Sequence, residues 1–122
     1  MDFAVQLEWK EGPGKRPDLR TSAVQDDWII GTCYSLSYAA FARDSSLEDW
    51  HFCDSLDVVE ECQGRNLGRH LLERSLLELH GIGYRHAAIS TDLRNYRAAL
   101  FYGNYGYRVV DYTYGWNKEL TV

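Results

Sequence analysis

The sequence predicts a mixed α/β domain with at least one parallel pair of strands in its sheet. Three observations lead there. Two strand-like runs face each other across a short polar segment, one stretch repeats leucine at helical spacing, and strands and helices then alternate to the end of the chain.

The first 25 residues contribute one strand, Phe3 to Trp9. Gly12, Pro13, Gly14 and Pro17 then fall among charged residues and read as a turn or exposed loop. From Trp28 to Tyr38 the run WIIGTCYSLSY is rich in β-branched and aromatic side chains, which marks a strand entered from an acidic turn at Asp26 and Asp27. Its partner is Trp50 to Val59. The polar stretch Ala39 to Asp49 between them has no long period, so an antiparallel hairpin is the simplest arrangement. Leu67, Leu71, Leu72, Leu76 and Leu79 share one helix face, and Gly81 supplies a stop. A short buried strand follows at His86 to Ser90, then a second helix, Asn95 to Asn104, closed by Gly103 and Gly106. Tyr107 to Trp116 alternates and returns as a final strand or hairpin. Strands joined through a long helix require a crossover, so at least one pair in the sheet is parallel.

Composition narrows the function. A chain of 122 residues supports one core, so residues 1–122 are expected to form a single domain. No apolar run approaches the ~20 residues of a membrane span, and the start at Asp2 lacks a signal peptide's basic and apolar stretches. A soluble, cytoplasmic protein is expected. The net charge of −5 argues against extended nucleic-acid binding, which needs a basic stripe to neutralise phosphates. Cys33, Cys53 and Cys62 are odd in number and lack C-x-x-C spacing, so they suggest neither a disulfide framework nor a thiolate zinc site. His51 and Cys53 lie two apart on a strand and make a poor ligand set, so no metal is assigned.

The segment QGRNLG, Gln63 to Gly68, sits where the strand ending at Val59 turns into the leucine-faced helix. The first turn of a helix leaves amide N–H groups without partners and carries partial positive charge, so a tight loop entering it can hold a pyrophosphate. Gly64 permits close backbone approach, Asn66 tolerates a left-handed conformation, and Arg65 and Arg69 add charge. An ordinary strand-to-helix turn would look much the same. The glycines of a dinucleotide-binding turn and the G-K-[ST] of a nucleotide loop are both missing.

These residues resemble the cofactor signature of the GNAT acetyltransferases, Q/R-x-x-G-x-G/A, matched by Gln63, Gly64, Arg65, Asn66, Leu67 and Gly68, with Asn66 in place of the first small residue. A second family pattern, N-x-x-A-x-x-x-Y-x-x-x-G-[FY], is matched downstream by Asn95, Ala98, Tyr102, Gly106 and Tyr107. The resemblance spans Trp28 to Trp116. It implies a mostly antiparallel sheet with flanking helices, a bulged strand before the loop, and a cofactor lying where the parallel strands ending near Val59 and Ser90 splay apart. The family usually places one strand and two helices ahead of the strand at Trp28, so residues 1–25 read as a shortened amino-terminal part. The chain thus resembles a short or C-terminal-half domain of the family.

The resemblance further implies transfer of an acetyl group from acetyl-CoA to an amine by direct attack in a ternary complex. Backbone amides around Val58 and Val59 would hold the thioester carbonyl and pantetheine arm, and amides from Arg65 to Arg69 the pyrophosphate. Asn95 would bond the cofactor arm, against an alternative role as helix N-cap. Tyr102 would protonate the leaving thiolate, against an alternative as a core tyrosine. Asp54 is the first choice of general base among Asp54, Asp57, Glu60 and Glu61. The acceptor is expected to be a small-molecule amine or a protein amino group, cationic in keeping with the acidic chain. The alternative is a catalytically silent CoA-binding or dimerisation module. A homodimer is expected, with Tyr112, Tyr114 and Trp116 covering a sheet edge.

Overall fold

The computed structural model describes residues 2–41, 45–91 and 94–109. The chain divides into two compact units, Met1–Ser90 and Thr91–Val122, each of which is described by itself.

The first unit is a five-stranded sheet ordered β1-β2-β3-β4-β5, with β1 Ala4–Lys10, β2 Asp18–Gln25, β3 Trp28–Ser37, β4 Trp50–Val58 and β5 His86–Ile89. The first four strands are successively antiparallel, and β5 runs parallel to β4. The expected hairpin and parallel pair are therefore both present. The amino-terminal region differs from its expectation, because residues 18–25 form a full strand where only a loop was read. Its sequence, DLRTSAVQ, is polar to the eye, yet Leu19, Thr21, Ser22 and Ala23 are buried. A two-residue turn makes this possible: Asp26 and Asp27 both have positive φ, 50° and 66°, which matches the right-handed twist of a hairpin. Residues 11–17 join β1 to β2 without a helix, as the turn or loop read at Gly12 to Pro17.

Helix α1, Leu67–Gly81, packs on one face of β2, β3 and β4. Leu67, Leu71, Leu72 and Leu79 are buried as their spacing predicts, each side chain contributing about 2 kcal/mol of transfer free energy. Leu76 is only half-buried, and Ser75 occupies the buried stripe in its place. Its hydroxyl is satisfied by Leu71 O at 2.7 Å and Thr21 Oγ1 at 2.8 Å, so a polar group on the helix meets a polar group on β2. The stop is also displaced: Gly81 is still helical, and Gly83, at φ 112°, turns the chain, with Gly83 N–H donating to His80 O and Tyr84 N–H to Leu79 O. Strand β5 is half-buried to exposed rather than fully buried, since β4 is its sole sheet neighbour among the described residues.

Strand β4 contains a bulge. Tyr34 pairs with Ser55 while Ser35 pairs with Cys53, leaving Asp54 without an opposite residue. Opposed residues share a face, so His51 and Cys53 point toward α1 ahead of the bulge, and Leu56 and Val58 do so after it. Odd positions give way to even ones.

The second unit contains α2, Tyr96–Asn104, whose N-cap Asn95 accepts from Ala98 N–H at 3.2 Å. Gly106, at φ 104°, closes it, and Gly103 lies inside. Residues 107–109 are not a strand. The rest of the expected final strand, with Tyr112, Tyr114 and Trp116, lies outside the described residues.

Candidate functional site

The parallel pairing of β4 with β5 runs from Trp50↔His86 to Cys53↔Ile89 and stops there. Strand β4 continues through Asp54 to Val58, paired on its β3 side only among the described residues. The strands part at Asp54, so the bulge forms the apex of an open gap in the sheet. Which backbone groups face that gap follows from the ladder. Val59 N–H donates to Ile30 O at 3.0 Å, toward β3, so by strand alternation Val58 and Leu56 direct their N–H and C=O groups the other way. The side chain of Gln63 confirms the direction, its Nε2 donating to Val58 O at 2.9 Å. Of the two residues expected to supply amides here, Val58 presents its N–H to the gap, whereas that of Val59 is engaged in the sheet. Leu56, which sequence reasoning passed over, presents its own.

Past Val59 the chain makes one short turn of 3-10 helix, Glu60–Cys62, and enters the loop. Gly64 has φ 78° and Asn66 φ 62°, the left-handed conformations that these two residue types accept most readily. A Cβ placed on Gly64 would meet no atom within 4 Å, so the glycine is required by its backbone conformation and leaves open space above the loop. Asn66 is the N-cap of α1 but makes no side-chain capping bond, leaving first-turn amides aimed outward. Arg65 and Arg69 are exposed, Leu67 is anchored in the core, and Gly68 brings the helix against β4, its Cβ position 3.8 Å from Val58 Cγ2. The gap and the loop are thus consecutive along one stretch of chain. Together they offer in-plane amides for an extended polar arm and an amide-lined turn for an anion, a donor set that fits a pantetheine-pyrophosphate ligand.

Of the carboxylates, Asp54 stands at the apex and is exposed, Asp57 faces away from α1 opposite Thr32, and Glu60 and Glu61 lie exposed in the turn before the loop. Beneath the apex, on the α1 side, Cys33 and Cys53 are both buried with sulfurs 3.9 Å apart. The hydrogen bond from Cys53 holds the Cys33 thiol down at about 7 despite its burial. The same bond, with burial, pushes Cys53 up, and the charge of Asp54 adds to this. His51 is buried against Tyr84, its Nδ1 without a hydrogen-bond partner, and desolvation lowers it to about 4. Burial thus favours its neutral imidazole within the core. In the second unit Tyr102 is half-buried, 5.5 Å edge-to-face from Tyr107, and Asn95 serves as the cap.

No protein-family model matches the sequence, and no curated protein matches it in a sequence search. Solved structures do resemble it. The aminoglycoside N-acetyltransferase AAC(6')-Iy, in complex with a CoA-containing bisubstrate analogue, superposes with a TM-score of 0.68 at 17% identity, over 84% of this chain and 70% of that one. An aminoglycoside acetyltransferase from an uncultured soil metagenomic sample, in complex with sisomicin, gives 0.67 at 14% identity, over 85% of this chain and 66% of that one. A transcriptional regulator from Bacillus halodurans gives 0.64 at 15% identity, over 83% and 66%. Identities this low show the fold alone, in this chain a mixed sheet of four successively antiparallel strands with a fifth parallel to the fourth. The chain has the GNAT fold, with the bulged strand, the splayed parallel pair and the amide-lined turn in the order that the sequence resemblance implied.

Proposed function

We propose that the protein is an acyl-CoA-dependent N-acetyltransferase, using acetyl-CoA as co-substrate. The observation that carries this reading is the continuity of the open β4 edge with the loop Gln63–Gly68: donors for the arm and for the pyrophosphate follow one another in a single segment. In this reading the Val58 and Leu56 amides orient the pantetheine arm and thioester, and Val59 fixes the strand end to β3. Gln63, Gly64, Arg65, Asn66, Leu67, Gly68 and Arg69 form the pyrophosphate turn. Asp54, exposed at the apex, takes the proton that an ammonium acceptor must lose before its nitrogen can attack. Tyr102 returns a proton to the departing thiolate, and Asn95 bonds the cofactor arm in addition to capping α2.

The acceptor is a cationic small-molecule amine or protein amino group. Aminoglycosides, the substrates named for two of the similar structures, set the first compounds to try. The protein is cytoplasmic and works as a homodimer. A second reading, a CoA-binding module without turnover, draws support from the likeness to a transcriptional regulator and from residues 11–17 standing where helices would shape an acceptor site.

Calorimetric titration with acetyl-CoA tests the site. Gly64→Glu, which sets a carboxylate in the open space above the turn, should abolish binding, while Gly64→Asn, able to keep a positive φ, should retain most of it. No binding to the parent protein would overturn both readings. Thiol release with an amine panel separates them, and Tyr102→Phe should then lower turnover about 10²-fold with acetyl-CoA affinity unchanged.

A further inference from the structure

Cys33 and Cys53 have no part in acetyl transfer as proposed above. They lie on adjacent strands with side chains on the α1 face, at 0% and 3% exposure. They are not directly opposed: Cys33 pairs with Leu56, and Cys53 with Ser35. The bulge at Asp54 makes them neighbours, because it leaves Cys53 on the rung beside Cys33 with the sulfurs 3.9 Å apart. A disulfide requires about 2.05 Å. The sulfurs must therefore close by just under ~2 Å to bond.

The surroundings are polar for a core. Ser35 and Ser75 are buried beside Cys33, and both hydroxyls favour its thiolate. Either thiol can donate across the 3.9 Å sulfur contact, and that of Cys53 alone also has a backbone acceptor, Ser55 O at 3.6 Å. One sulfur is therefore disposed as nucleophile and its neighbour as a proton-bearing partner, the division of labour that oxidation to a disulfide uses. Cys62, equally buried, has no thiol of this kind beside it.

We propose that Cys33 and Cys53 form an oxidisable dithiol, with Cys33 the site of attack on a hydroperoxide and Cys53 the resolving thiol. The Cys33 thiolate attacks one peroxide oxygen. The S–O bond forms, the O–O bond breaks, and hydroxide leaves as water after taking the proton of Cys53. The Cys53 thiolate then attacks the Cys33 sulfur, the S–S bond forms, the S–O bond breaks, and the departing hydroxide takes up from solvent the proton that Cys33 released on ionising, leaving as the second water. Two thiols are oxidised, one peroxide is reduced to two waters, and β3 becomes covalently tied to β4 beside the bulge.

The test is thiol counting on the intact protein. Native protein is treated with hydrogen peroxide, quenched, unfolded and alkylated with N-ethylmaleimide. The chain has three cysteines, so the untreated sample takes three labels. The oxidised sample should take one, on Cys62, weigh two hydrogens less before alkylation, and give a Cys33–Cys53 cross-linked peptide that dithiothreitol removes. Cys33→Ser and Cys53→Ser should each prevent the cross-link, and Cys62→Ser should leave it intact. Retention of all three labels at peroxide levels that oxidise free coenzyme A thiol would overturn the proposal, as would loss of Cys62 in step with the other two. Mapping of the parent protein decides the matter even where a variant fails to fold, and it does so whether or not the protein binds acetyl-CoA.

Discussion

Among single residues, His51 sets the clearest expectation for stability. Its imidazole is buried edge-on to Tyr84 and lowered from 6.5 to about 4 by desolvation. Between those values the unfolded chain binds a proton that the folded protein excludes, so stability rises with pH from 4 to 6.5 and levels off above. The full span amounts to about 3 kcal/mol. Denaturant titrations across this window should show the slope in the parent and a much flatter profile in His51→Phe; equal slopes in the two would show that other groups carry the acid sensitivity. At this scale the sequence was readable wherever residue type and backbone conformation coincide. Gly64 and Asn66 were identified from their tolerance of positive φ, and both adopt it. Asn95 was given two roles, and the capping one is visible. Leu56 was passed over, because an amide's direction depends on ladder register and leaves no mark on side-chain chemistry.

At the level of elements, α1 ends at Gly81 and the chain turns away at Gly83, and the two glycines should respond oppositely to alanine. Gly81 is helical with open space at its Cβ position, so Gly81→Ala should stabilise by about 0.5–1 kcal/mol. Gly83 has φ 112°, and its Cβ would lie 2.6 Å from Arg16 Nε, a guanidinium held by Ile82 O. Gly83→Ala should therefore destabilise by more than ~1 kcal/mol. Thermal melts of both variants check the pair. The sequence placed the helix correctly but chose the wrong stop, since Gly81 comes first and only backbone angles separate the two. Strand β2 escaped notice for a related reason. Its residues facing α1 include Thr21, whose buried hydroxyl meets Ser75 from a helix some 50 residues away. The run WHFCDSLDV conceals a change of frame. Trp50, Phe52, Leu56 and Val58 all occupy even positions and suggest one apolar face, whereas the bulge assigns the first two and the last two to opposite faces.

For the molecule as a whole, β1 is an edge of the sheet among the described residues, exposed or half-exposed along its length, and carries Trp9 at 38% exposure. An edge of this kind is commonly covered by another chain, which supports the proposed homodimer. Sedimentation at micromolar concentration should give twice the 14.1 kDa chain mass, and a monomer there would end that part of the proposal. The fold class, the hairpin and the parallel crossover were all readable because each follows from periodicity and connection length. The loop at residues 11–17 was readable from its glycines and prolines, whereas the strand after it was not.

The unpaired Asp54 has a consequence for how this protein tolerates change. A strand with one extra residue acts as a phase shifter: everything before it is read in one frame, everything after it in the other. Deleting Asp54 would leave the composition nearly untouched. It would nonetheless turn His51 and Cys53 out to solvent and drive Trp50 and Phe52 beneath α1, or else invert Leu56 and Val58 and close the edge that faces the gap. A substitution at this position tests a side chain, whereas a deletion here rewrites the inside and outside of the molecule.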